Sequence, residues 1–167
     1  MLFQLSGRLV MVKKQKFVQN TLELLNIMIK KYLEFIKESN GSNGSNGSID
    51  SICQKYKIEN YTINDDGSID VNGSVKLCIY DLNKLPLNFN KVTGNFNCNR
   101  NNLTSLEGSP KWVGGFFNCS NNELTTLKGA PESLGGYFNC RGNELTDLKG
   151  CPKSIEHGFI CRYNNLT

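Results

Sequence analysis

A period of 21 residues governs the second half of this chain. Cys98, Cys119, Cys140 and Cys161 follow one another at that interval. Two residues before each stands Phe96, Phe117, Phe138 or Phe159, and three after each stands Asn101, Asn122, Asn143 or Asn164. Leu103, Leu124, Leu145 and Leu166 come next, then Leu106, Leu127 and Leu148, then Gly108, Gly129 and Gly150, then Pro110, Pro131 and Pro152. Val92, Val113, Leu134 and Ile155 complete the pattern, and a weaker copy runs through Val71, Val75, Leu77, Leu82, Leu85 and Pro86. Units therefore start near residues 71, 92, 113, 134 and 155. A unit this short cannot bury its own apolar face, so a core forms only where neighbours stack. Residues 71–167 must be a solenoid.

Within a unit, Phe-x-Cys reads as a short strand with alternate side chains inward. A Leu-x-x-Leu segment then returns beneath it. The Asn that follows can bond the backbone of the turn leaving the strand, so stacking predicts an Asn ladder of Asn101, Asn122, Asn143 and Asn164. Gly supplies backbone freedom and Pro breaks helices, so the convex side is expected to be loops or 3-10 turns. The pattern matches Leu-x-Leu-x-x-Asn-x-Leu with Phe and Cys at its first two apolar positions, and 21 falls in the usual window for such repeats.

On these residues the stretch 71–167 resembles a leucine-rich-repeat protein. Its particular style, Phe-x-Cys-x-x-Asn-x-Leu-Thr-x-Leu-x-Gly-x-Pro-x-x-Val-Gly-Gly, is similar to leucine-rich-repeat-like proteins of large tailed bacteriophages and mobile elements. The leader Asn60-Tyr61-Thr62-Ile63 and Asp66-Gly67-Ser68-Ile69-Asp70-Val71 shares the likeness. The resemblance implies an α+β repeat solenoid, right-handed, with short parallel strands and a loop or 3-10 convex side, and a separate N-terminal helix is expected before it. Two positions depart from it. Tyr80 replaces the ladder Asn in the first unit, which suggests a capping unit, and Glu156-His157 replaces Gly-Gly in the last.

The N-terminal half is organised differently. Residues 13–38 read as an amphipathic helix, with Leu22, Leu25, Ile29, Tyr32, Leu33 and Ile36 along one stripe. Three copies of Asn-Gly-Ser follow, a flexible low-complexity linker. Ile49–Tyr56 reads as a short helix with Ile52, Cys53 and Tyr56 inward. Tyr61-Thr62-Ile63 and Ile69-Asp70-Val71 then flank Asn64-Asp65-Asp66-Gly67, a hairpin signature. The expected division is a helical arm over 1–39, a linker over 40–48, a helix–hairpin cap over 49–70 and the solenoid over 71–167.

Charge narrows the function classes. The formal charge is +4, yet residues 1–40 hold seven Lys/Arg against three Asp/Glu, and the rest of the chain holds twelve of each. A body without net basicity argues against nucleic acid as partner. No run of 18 apolar residues exists, so no spanning helix is expected. Without a secretory pattern, the seven Cys are expected to be reduced thiols, and the setting cytoplasmic. Lys13, Lys14 and Lys16 could meet anionic lipid, but acidic residues in the same helix weigh against membrane contact.

Chemistry is sparse. Four Cys in one inward slot beside Phe are expected to be small core residues, and the absence of Cys-x-x-Cys with only His157 present gives no zinc pattern. Asp65, Asp66 and Asp70 suit turn chemistry better than the twelve-residue calcium loop. Glu123 with Glu144, and Lys128 with Lys149, recur in phase as solvated stripes. No cofactor, metal or catalytic residue is expected. The outward strand face is different: Asn97, Phe116, Asn118, Tyr137, Asn139, Arg141 and Arg162 form a composition enriched in protein interfaces. The sequence thus predicts a non-catalytic protein-recognition module, and the resemblance implies that it is phage-encoded and acts in the host bacterial cytoplasm. A structural or glycan-binding virion module is the alternative. Self-association through the N-terminal helix or the open last repeat is a further expectation.

Overall fold

The alternation of one inward apolar residue with one outward polar residue builds two very short strands in each unit, not one. The computed structural model describes residues 22–23, 25–31 and 48–167. Its strands are β1 (Tyr61–Ile63), β2 (Ile69–Val71), β3 (Val75–Lys76), β4 (Phe89–Val92), β5 (Phe96–Asn97) and β6 (Trp112–Val113). They continue as β7 (Phe117–Asn118), β8 (Ser133–Leu134), β9 (Phe138–Asn139), β10 (Ser154–Ile155) and β11 (Phe159–Ile160). The first sheet runs β1-β2-β4-β6-β8-β10 and the second β3-β5-β7-β9-β11. Apart from the antiparallel β1–β2 hairpin every pairing is parallel, and successive units align in register, Phe96 with Phe117 and Phe117 with Phe138. The molecule is a parallel β-solenoid of about four turns.

The second strand per unit, centred on Val92, Val113, Leu134 and Ile155, differs from the single-strand unit expected above. Those residues were legible as inward apolar positions. Their pairing into a sheet arises because the chain turns between each of these pairs and the following Phe-x-Cys strand, so that a second extended pair lies in parallel register alongside the unit before it. The opposite side is turns and irregular loop, and no 3-10 helix occurs among the described residues.

The core is one continuous column. Phe96, Phe117 and Phe138 are fully buried and stack with Phe159 at centroid spacings of 5.2, 5.4 and 5.4 Å. Beside them Cys98, Cys119 and Cys140, and Leu103, Leu124 and Leu145, are equally buried. Each buried Leu contributes roughly 1.5–3 kcal/mol and each aromatic pair about 0.5–1.5 kcal/mol beyond its area.

The N-terminal end of the column is closed by the leader. The helix Ile49–Lys55 buries Cys53, with Tyr56 and Ile58 just beyond it, and the Tyr56 ring meets Tyr80 edge-on at 5.0 Å. Tyr80, the residue that breaks the Asn ladder, thus sits at the cap. β1 pairs antiparallel with β2 and becomes the terminal strand of the first sheet, so the parallel ladder ends in a hairpin. The hairpin turn is held by Asp66 Oδ1, which accepts from the Ser68 N–H at 3.0 Å and its hydroxyl at 2.6 Å. Those donors hold the Asp66 carboxyl below its usual range.

The chain divides into two units, with the boundary between Ser48 and Ile49. In the first, positions 22–23 and 25–31 are helical, and Leu22, Leu25, Ile27, Met28 and Ile29 are exposed. The rest of the expected 13–38 helix, the basic cluster at Lys13, Lys14 and Lys16, and the Asn-Gly-Ser linker lie outside the described residues. None of the described helices is long and apolar enough to cross a membrane.

Candidate recognition face

Two rows of Asn serve opposite purposes. The inner row is buried and joins units. Asn122 Nδ2 donates to the carbonyls of Cys98 at 3.1 Å and Cys119 at 3.0 Å, while its Oδ1 accepts from the Leu103 N–H at 3.1 Å. Asn143 repeats this with Cys119, Cys140 and Leu124, and Asn164 with Cys140, Cys161 and Leu145. Asn101 binds Leu77 and Cys98, and accepts from both Tyr80 and Leu82. A carboxamide suits this slot because it donates twice and accepts at once.

The outer row lies on the second sheet. Asn97, Asn118 and Asn139 accept, through Oδ1, the N–H two residues on, from Asn99, Ser120 and Arg141 at 3.0–3.2 Å. This Asx-turn bond fixes each carbonyl end against the strand exit and leaves the NH₂ end to the face. Parallel register repeats that group at the strand spacing, about 4.8 Å.

Aromatics flank this row. Phe116 and Tyr137 stack at 5.0 Å and 10°, with Phe116 half-buried and Tyr137 37% exposed. Asn95 lies in the same column, and its Oδ1 accepts the Phe116 N–H at 3.0 Å. On the other flank the Arg141 guanidinium lies 4.7 Å from the centroid of the Tyr163 ring, a cation–π contact that holds it in place. Arg162 is exposed beside it. The structure therefore brings Asn97, Phe116, Asn118, Tyr137, Asn139, Arg141 and Arg162 onto one side of one sheet.

Sequence reasoning missed two exposed aromatics. Tyr163 occupies the slot of Ile79, Arg100, Asn121 and Gly142, all at positive φ between 53° and 65°. That left-handed residue before the ladder Asn throws its side chain outward, and its periodicity was available in the sequence. Trp112 belongs to the first sheet, 40% exposed with Lys91 Nζ 5.0 Å from its ring. Its signal was hidden because the second strand of each unit was not anticipated.

The thiols are the other recurring chemistry. Burial pushes Cys98 and Cys140 up to about 12 and Cys119 well above its ordinary 9.0. Nucleophilic cysteines need the reverse. With the folded value raised, stability held below about pH 9 is lost as pH climbs toward 12. Cys151 is exposed, and Cys78 and Cys161 half-buried. In native protein at pH 8, Cys151 should react with a thiol reagent within minutes. Cys98, Cys119 and Cys140 should react only after denaturation, mapped by mass spectrometry; rapid native labelling of Cys119 would contradict the packing.

Fold and face together define a short parallel β-solenoid with a polar–aromatic sheet surface. Comparison with known proteins finds no matching family model, no matching curated protein and no matching solved structure.

Proposed function

We propose that the solenoid is a non-catalytic recognition module that binds a protein partner through the second sheet. The observation behind this reading is the outward set of Phe116, Tyr137, Arg141 and Tyr163 on a flat, register-locked face. Aromatics and Arg dominate binding energy at interfaces, and rigid strands hold them with little entropy left to lose. The non-catalytic part rests on placement: the repeated thiols pack among Phe and Leu, away from any base. The leucine-rich-repeat kinship, a phage origin and a host cytoplasmic setting belong to the same reading and rest on the motif style quoted above. Self-association through the exposed helical residues Leu22, Leu25 and Ile29 or through the last repeat is compatible with it. A glycan-binding virion module is less well supported, because sugars pack on aromatic faces and here Phe116 and Tyr137 each give up one face to the other.

The test is capture from bacterial cytosol by the full chain. Phe116→Ala with Tyr137→Ala should weaken partner binding by about 30-fold or more, as for truncated hot-spot anchors worth about 2 kcal/mol. Lys128→Ser with Lys149→Ser should leave it within about twofold, since exposed charges on the turns contribute little. Circular dichroism should show both variants folded. Loss with the lysine pair and not with the aromatic pair would move the working surface elsewhere.

A further inference from the structure

The charges of the solenoid are segregated in a way that net charge conceals. Along the second sheet, the strand residues and their immediate flanks are 74–78, 95–99, 116–120, 137–141 and 158–162. Their charged members are Lys76, Arg141 and Arg162, and none is an Asp or Glu. All three are exposed. Between them run the NH₂ ends of Asn97, Asn118 and Asn139, whose carbonyl ends are already engaged. The face is therefore rich in donors and cations, although the body as a whole is neutral. Its carboxylates sit outside the sheet, as at Glu123, Glu144 and Glu156.

From this we infer that the partner engages the face through an acidic, extended peptide segment. Resting on the recognition reading, the inference names the partner's chemistry. Carboxylates complement Lys76, Arg141 and Arg162, and extended backbone carbonyls can accept from the Asn amides. Single-stranded nucleic acid is the other acidic polymer to consider. It binds by stacking bases on aromatic faces. Phe116 and Tyr137 spend one face each on the other, 5.0 Å apart, and one face of Tyr163 lies against Arg141, so successive bases find no uninterrupted row of open rings. A peptide needs only the ring edges, the Tyr137 hydroxyl and the charges.

The test uses full-length protein and three fluorescein-labelled probes followed by anisotropy. They are a decapeptide of alternating Glu and Ser, its Lys–Ser counterpart, and a ten-nucleotide oligo-thymidine. The Glu peptide should bind, weaken as salt rises from 50 to 300 mM, and lose at least tenfold in affinity in Arg141→Ser with Arg162→Ser. Both arginines are exposed, so the fold should survive, and Lys111→Ser with Lys153→Ser on the first sheet should change nothing. The Lys peptide should not bind. Tighter binding of oligo-thymidine, no binding of the Glu peptide, or Glu-peptide binding indifferent to the arginines would each overturn the inference. The recognition reading fails separately, through the aromatic pair in the capture experiment.

Discussion

Asn122→Ala is expected to cost about 3 kcal/mol, a severe loss for a single buried polar side chain. The substitution removes one acceptor and two donated bonds at once. The buried Leu103 N–H is left without a partner, while the carbonyls of Cys98 and Cys119 lose one of two bonds and keep those from Asn101 and Asn143. The stranded N–H costs about 1–3 kcal/mol and each lost second bond to a carbonyl about 0.5–1.5 kcal/mol. Asn122→Asp should be no better, because a carboxylate cannot donate to two carbonyls. Asn143→Ala should match Asn122→Ala. Asn164→Ala should cost less, since Asn164 is only half-buried in the terminal unit. Asn165→Ala, exposed and one residue along, should be close to neutral. Urea denaturation followed by circular dichroism measures the series; equal effects at Asn122 and Asn165 would remove the ladder from the account of stability.

Gly136→Ala should be comparably damaging for a steric reason. A Cβ there would lie 2.6 Å from both the Gly115 carbonyl carbon and the Phe116 nitrogen, and 2.8 Å from the Gly115 oxygen. All three are backbone atoms of the unit beneath, so no side-chain rotation relieves the clash. Overpacking of this kind costs about 1–3 kcal/mol, and here it also prises apart the Phe117–Phe138 stack. The slot is Gly73, Gly94, Gly115 and Gly136 through four units and His157 in the fifth. At His157 the inter-unit bond to the Gly136 carbonyl stretches to 3.3 Å, against 2.9 Å for the Gly115–Gly94 bond. A side chain is thus accommodated in the last unit, covered on one side only, by opening the gap. Gly158→Ala is the control: nothing lies within 4 Å of its Cβ. That change should be neutral or stabilising by about 0.5 kcal/mol through the unfolded chain. Thermal melting of both variants gives the answer, and equal melting temperatures would show that the solenoid absorbs a Cβ at this turn.

The period of 21 settled more than any composition figure could. Because a repeat must stack to bury its Phe, Cys and Leu, inward and outward positions were assignable before any coordinates. So were the carboxamide's joining role and the Asn-Asp-Asp-Gly hairpin turn. The outward aromatic and Arg residues followed from the same alternation. Three things were decided only by tertiary structure. The Val-centred positions became a second sheet because strands of successive units pair in parallel register, a through-space pairing that no single unit contains. Tyr163 reached Arg141 because a left-handed residue aims its side chain across the neighbouring unit's exit. The cationic character of one face emerged from a body without net charge because folding sorted Lys76, Arg141 and Arg162 onto one sheet and the carboxylates off it. Sequence specifies which side of the strand a residue takes; only stacking decides which residues from distant units become neighbours.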